Sequence, residues 1–221
     1  MTTTTAAPRV RGRRPLPLWR GVLGTLLIVV GLSGVGYVVW DMFFNTHVDP
    51  AASQEKEAGL RDAWAHGRTP SASIPGNAIA LMRIPAFGSD FEEPVLVGVD
   101  EKKSLAKGLG WYETTAPPGQ IGNFAVAGHR GARGPFAPML TLKAGDEVVV
   151  ETREAIYTYA LTNNPRDLTV KNVDTWVLDP VPGHPERQPT DALLTLTTCH
   201  DLFHSDNRAI AFGRLVQTQR K

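Results

Sequence analysis

An all-β domain tethered by one N-terminal transmembrane helix is the fold this sequence predicts, and three observations carry the prediction. Residues 21–40 form an uncharged apolar stretch behind a cluster of arginines. From residue 78 onward, short runs of β-forming residues alternate with turn residues, as in a sandwich or barrel. The 17 prolines and 21 glycines among 221 residues supply the turns that such a fold needs.

The apolar stretch, GVLGTLLIVVGLSGVGYVVW, is long enough at about 1.5 Å per residue to cross the ~30 Å hydrocarbon core of a bilayer. Trp19 and Trp40 flank it, where amphipathic rings favour the water interface, and no face of it is polar, unlike a surface helix of a soluble protein. Arg9, Arg11, Arg13, Arg14 and Arg20 all precede it. The positive-inside rule then keeps the N-terminus in the cytoplasm and puts the remainder outside the cell. A cleaved signal peptide would have a shorter apolar region ending at a small-residue site, so an uncleaved single-pass anchor is expected. The chain divides into a basic cytoplasmic tail at 1–20, a transmembrane helix at 21–44, an extracytoplasmic stalk at 45–77 and a folded domain at 78–221.

Composition excludes several classes. With 42% hydrophobic residues and a net charge of +1, the chain is not intrinsically disordered. Beyond residue 50 there are 18 Lys+Arg against 20 Asp+Glu, with no basic stripe, which argues against nucleic acid as a partner. One cysteine leaves no internal disulfide and no multi-thiolate metal site, and no metal or other cofactor is expected.

In the stalk, residues 51–66 read as a short helix with too few apolar positions to anchor a core, so the segment is expected to act as a spacer. Within the domain the clearer strands are 79–84, 94–99, 123–127, 147–152 and 155–162; further candidates are 168–170, 175–178, 192–198 and 209–216. Helix is scarce, with a turn or two expected at 102–109 and 136–142. No internal repeat is visible.

The lone thiol is the first place to look for chemistry. Cys199 ends the run Leu193-Leu194-Thr195-Leu196-Thr197-Thr198, and alternation along a strand sets it on one face with Thr197 and Thr195. A thiol at a strand end is held rigidly yet stays open to a groove; the structural alternative is a small buried hydrophobe. Nucleophilic use requires a partner to populate the thiolate, usually histidine. Of six histidines, His47, His66 and His184 fall in exposed segments, His200 points to the opposite face, and His204 sits in the loop after the cysteine. His129 closes the run Asn123 to Ala127 among glycines that would let another chain approach. A cation beside the developing oxyanion is the third requirement. Among Arg130, Arg133, Arg208 and Arg214, Arg208 is preferred: a hairpin through residues 200–207 would set it roughly opposite Cys199, and Arg214 several residues further down the strand.

The motifs GNFAVAGHR and LLTLTTCH, with an arginine nine residues past the cysteine, resemble the sortase family across residues 78–216. Tyr112 through Pro118-Gly119-Gln120 to Gly122-Asn123-Phe124 is similar to the class E sortases of high-GC Gram-positive bacteria, as are Pro182-Gly183 and Cys199-His200 followed by Phe203. The resemblance implies an eight-stranded sortase β-barrel on a membrane-tethered chain. It also implies a cysteine transpeptidase acting on secreted proteins that carry a C-terminal LPxTG-type sorting signal. By that resemblance Cys199 attacks the threonine carbonyl, His129 is acid and base, and Arg208 holds the substrate backbone and the oxyanion. The acceptor it implies is an amine of lipid II or peptidoglycan. Tyr112 and Thr198 are implied as substrate contacts, Tyr112 favouring LAxTG, because alanine offers a backbone N–H to a phenol and proline has none. Two positions depart from the family pattern: Asp201 where a proline follows Cys-His, and Phe212 where relatives often have histidine before Gly213. A pilus-polymerising sortase, a cysteine endopeptidase and a non-catalytic wall-binding β-domain are the other readings.

Overall fold

The computed structural model describes residues 18–44, 48–131, 134–200 and 206–221. It falls into two units that divide after Phe44. The first is helix α1, Leu18–Phe44, whose span Gly21–Trp40 is long and apolar enough to cross a membrane. Leu26, Ile28, Val30 and Leu32 stand exposed along it, and the Thr25 hydroxyl donates to the Gly21 carbonyl at 3.1 Å, so this polar group is satisfied within the helix. The arginines at 9 to 14 lie outside the described residues.

The second unit opens with α2, Pro50–Ala65. Asp49 caps it, its carboxylate accepting from the N–H groups of Ala51 at 3.0 Å and Ala52 at 3.3 Å, while Pro50 fills the first turn, where no donor is needed. The expected spacer is not what this segment forms. Leu60, 1% exposed, packs with Trp64 on Ala78, Leu81 and Leu96, and Ser53 and Ala63 are buried beside it. Few apolar residues suffice because they share one stripe and because the barrel itself offers an apolar outer patch.

Among the described residues nine strands follow: β1 Ala78–Arg83, β2 Glu92–Val97, β3 Leu109–Trp111, β4 Gly122–Ala127, β5 Glu147–Glu151, β6 Ala155–Leu161, β7 Thr169–Lys171, β8 Ala192–Cys199 and β9 Asn207–Arg220. Eight of them close into a barrel in the order β6-β5-β1-β2-β3-β4-β8-β9, with β9 returning to β6. Most neighbours are antiparallel, but β2 runs parallel to β3 and β4 parallel to β8. β9 is long enough to serve twice on one edge: its start pairs with β7 and its remainder with β6. Residues 102–109, expected to supply a turn or two of helix, give a short 3-10 turn at Leu105–Lys107 and then β3. Residues 175–178, expected as a strand, form a 3-10 turn, Thr175–Leu178. Residues 136–142 contribute a 3-10 turn at Met139–Thr141.

Alternation sends Phe124, Val126, Leu194, Leu196 and Tyr159 into the barrel with Leu109, Phe136 and Met139, all fully buried. Tyr159 brings a phenol with it, which accepts from the Gly119 N–H at 2.7 Å. Burial pushes this phenol up to about 12, so it stays neutral throughout the physiological range. Gly119 has φ +75°, and a Cβ there would lie 2.1 Å from the Tyr157 ring, so only glycine lets the loop close over these tyrosines.

Two outcomes follow from this packing. Tyr159→Phe leaves the Gly119 N–H without its acceptor and should lower stability by about 1–3 kcal/mol in denaturant unfolding, with acyl transfer unaffected. Glu93, on β2, accepts from the Ser53 hydroxyl of α2 at 2.7 Å, and burial, with Glu57 nearby, pushes its carboxyl above the usual range. The native state therefore binds this proton more tightly than the unfolded chain; that contribution is complete below the ordinary carboxylate value and is lost as pH rises through the raised one. Glu93→Gln should raise the thermal midpoint at about pH 8 and lose most of that advantage near about pH 4.

Candidate active site

The register of β4 against β8 fixes the site. The two strands run side by side from Gly122↔Ala192 to Ala127↔Thr197. Just beyond, the Gly128 N–H donates to the Thr197 carbonyl at 3.1 Å and the Thr198 hydroxyl to the Gly128 carbonyl at 2.7 Å. Parallel strands advance together, so His129, two residues past Ala127, comes level with Cys199, two residues past Thr197, on strands ~4.8 Å apart. Glycine at 128 permits the approach: a Cβ there would lie 2.6 Å from Phe136 and 2.7 Å from Leu109. Glycine at 134 is needed too, since a Cβ would meet the His129 carbonyl oxygen at 2.2 Å.

On the other side of β8 the antiparallel ladder with β9 pairs Cys199 directly with Arg208, while Arg214 pairs with Leu193. Directly opposed residues project from the same face, so thiol and guanidinium share one side of the sheet. Arg208 also stands opposite Val170 of β7. Arg214 is exposed and engaged elsewhere, its Nη2 2.6 Å from Asp191 Oδ1. Cys199 is half-buried at the strand end.

Arg208 lines a cleft of about 190 Å3 together with Tyr112, Thr197, Val170, Val177 and Leu178. The Tyr112 hydroxyl lies 3.3 Å from Thr197 Oγ1. Its backbone is fixed from below: Thr115 Oγ1 accepts from the Trp111 indole at 3.1 Å and from the Ala125 N–H at 3.2 Å, and donates to the Tyr112 carbonyl at 2.6 Å. The far wall, Thr175–Leu178, is held by Asn123, whose buried amide donates to the carbonyls of Val177 at 3.0 Å and Asp179 at 3.1 Å. Asn123 Oδ1 in turn accepts from Thr195 Oγ1 at 2.8 Å. Phe212, one of the departures from the family pattern, packs its ring 6.0 Å from that of Trp176 on this wall.

The strand register thus sets His129, Cys199 and Arg208 at one end of the barrel, and Arg208 shares a cleft with Tyr112. It does not bring Thr198 into the cleft, because that hydroxyl is 3% exposed and spent on Gly128; the threonine that lines the cleft is Thr197. Alternation had set Thr197 on the thiol's face, which was the available signal. Glu101 was not foreseen: its Oε1 lies 3.1 Å from His129 Nε2, and a residue in a turn far from any motif gives no sequence signal. Of the other histidines, His66 and His184 are exposed beside Asp62 and Glu186. His47, His204, Arg133 and Asp201 lie outside the described residues. No cluster of metal-ligating side chains occurs among the described residues.

A sortase domain model matches residues 82–216, more than half of the chain. The chain belongs to the sortase family, whose members are cysteine transpeptidases. It is 32% identical to sortase SrtE1 of Streptomyces coelicolor over 203 residues, which is 88% of this chain and 56% of that relative's length. The solved sortase E from Streptomyces avermitilis matches with 38% identity and a TM-score of 0.59, over 66% of this chain and 93% of that one. Sortase E1 from S. coelicolor, solved with a tripeptide in the active site, matches with 33% identity and a TM-score of 0.55, over 66% and 91%. These names agree with the class E resemblance read from the motifs.

For this sortase, Arg208→Ala should reduce acyl transfer by about a hundredfold or more, the scale on which one oxyanion donor acts, and clearly more than Arg214→Ala. Equal losses would contradict the assignment drawn from the β8–β9 register.

Proposed function

We propose that this sortase is anchored by α1 with its barrel outside the cell and joins secreted proteins to an amine of a peptidoglycan precursor such as lipid II. The observation that carries the reading is the register of three neighbouring strands, which sets His129, Cys199 and Arg208 at one end of the barrel. Cys199 as thiolate attacks the carbonyl of the threonine in an LAxTG or LPxTG signal. The tetrahedral oxyanion forms beside the Arg208 guanidinium, which stabilises it without reorganising. His129 gives its proton to the departing glycine amine as the C–N bond breaks, leaving a thioester. The acceptor amine then loses a proton to His129 as it attacks the thioester and forms the new amide, and the C–S bond breaks to return Cys199 as thiolate beside protonated His129.

The neighbouring cleft suits the residues of the signal that precede the scissile bond. Tyr112 reaches into it with a hydroxyl, and an alanine in the second position of the signal offers that oxygen a backbone N–H that proline lacks. Thr197, within 3.3 Å of the same hydroxyl, is the threonine whose side chain suits substrate contact; Thr198 acts through the backbone of Gly128.

The test is direct. Full-length protein in detergent is incubated with LAxTG and LPxTG peptides and an amine, and the products are weighed. The expected product is the peptide cut after threonine and joined to the amine, formed faster from LAxTG, and absent with Cys199→Ala. An undiminished yield from that variant would overturn the mechanism, and release of the free acid alone despite added amine would make the protein a hydrolase.

A further inference from the structure

Of the three residues of the proposed reaction, Cys199 and Arg208 are paired across β8 and β9, whereas the pairing of β4 with β8 stops short of His129. The β4–β8 ladder ends at Ala127↔Thr197, two residues before His129 and Cys199. What continues it is a side chain: the Arg130 guanidinium donates through Nη1 to the carbonyl of His200. The same residue is also tied to β9, because the His200 N–H donates to the Asn207 carbonyl at 2.9 Å. Residue 200 is thereby bonded to the neighbour of His129 on one side and the neighbour of Arg208 on the other, and it is itself the neighbour of Cys199.

The geometry points to Arg130 as a positioning residue that fixes the spacing between His129 and Cys199. It touches neither the scissile amide nor the sulfur; it acts through the two backbones that carry base and nucleophile. Guanidinium suits the task because its donors sit on a rigid planar fork that spans two chain segments and cannot lose its proton. Putting such a charge in a half-buried place is costly unless its bonds matter, and a displacement of a fraction of an ångström between acid–base and nucleophile is costly in rate. A bond from a charged donor to a carbonyl is strong enough to hold that spacing.

The inference rests on His129 and Cys199 acting as a pair, and its test separates the two ideas. The rate at which iodoacetamide alkylates Cys199, the chain's one thiol, is measured on full-length protein in wild type, Arg130→Met, His129→Ala and the double variant. Arg130→Met should slow alkylation by roughly three- to tenfold when His129 is present and change it little when His129 is absent, because the thiol's reactivity depends on a correctly spaced imidazole. Arg130→Lys, which keeps the charge and one reaching donor, should recover most of the loss and serves where the methionine variant does not fold. In the peptide assay Arg130→Met should lower kcat by roughly ten- to a hundredfold with KM within about twofold. Equal slowing of alkylation with and without His129, or a loss confined to KM, would overturn the positioning role even if acyl transfer is robust. Coupled alkylation rates with no peptide product in wild type would uphold the positioning role and refute the proposed reaction.

Discussion

Everything at the working end of this barrel depends on one parallel pairing, that of β4 with β8. It sets the end of the glycine-bracketed histidine strand level with the end of the cysteine strand, and it does so by counting: each strand advances equally from a shared starting register. The antiparallel pairing of β8 with β9 then supplies the arginine from the other side. Three residues separated by up to 79 positions in sequence come to one end of the barrel because three strands are neighbours, with His129 only two residues past the end of its strand.

The hardware around this frame uses polar groups with little to spare. Asn123 is the clearest case: buried between β4 and the Thr175–Leu178 turn, its amide bonds two carbonyls and its oxygen takes the Thr195 hydroxyl. Such a group is costly to bury unless fully bonded, and once bonded it fixes the cleft wall against the strand that leads to His129. Thr115 does the same for the opposite wall through Tyr112. The cleft walls are thereby bonded back to β4, the strand that leads to His129.

What the sequence disclosed follows from how local each relation is. The pairing of Cys199 with Arg208 was legible because two antiparallel strands joined by one short connection can be counted across. His129 beside Cys199 was not derivable by counting, since about seventy residues separate them and nothing in spacing reveals a parallel partner; the sortase resemblance supplied it. Trp176, Val177 and Leu178 favour strands by type, yet the Val177 carbonyl is engaged by Asn123 in a turn, a tertiary bond overriding propensity. β3 escaped notice because three residues containing a glycine carry no periodic signal. Docking of α2 was missed because its apolar stripe is narrow, and its worth depends on the patch made by Ala78, Leu81 and Leu96, which exists only after the barrel forms. Thr198 was taken for a substrate contact from its motif, whereas alternation already set Thr197 on the thiol's face.

The central claim is geometric, and a proximity measurement addresses it without a substrate. With Cys199 the sole native thiol, His129→Cys creates a two-thiol protein whose sulfurs should sit within reach of one another at the barrel's end. Mild oxidation, or a short bifunctional thiol reagent, should link residues 129 and 199 intramolecularly in the folded full-length chain, read as loss of both free thiols and a mass matching one internal link. Two thiols that stay free in the folded protein, each alkylating independently, would mean that β4 and β8 do not carry their ends to one place, and the account of this site would fail.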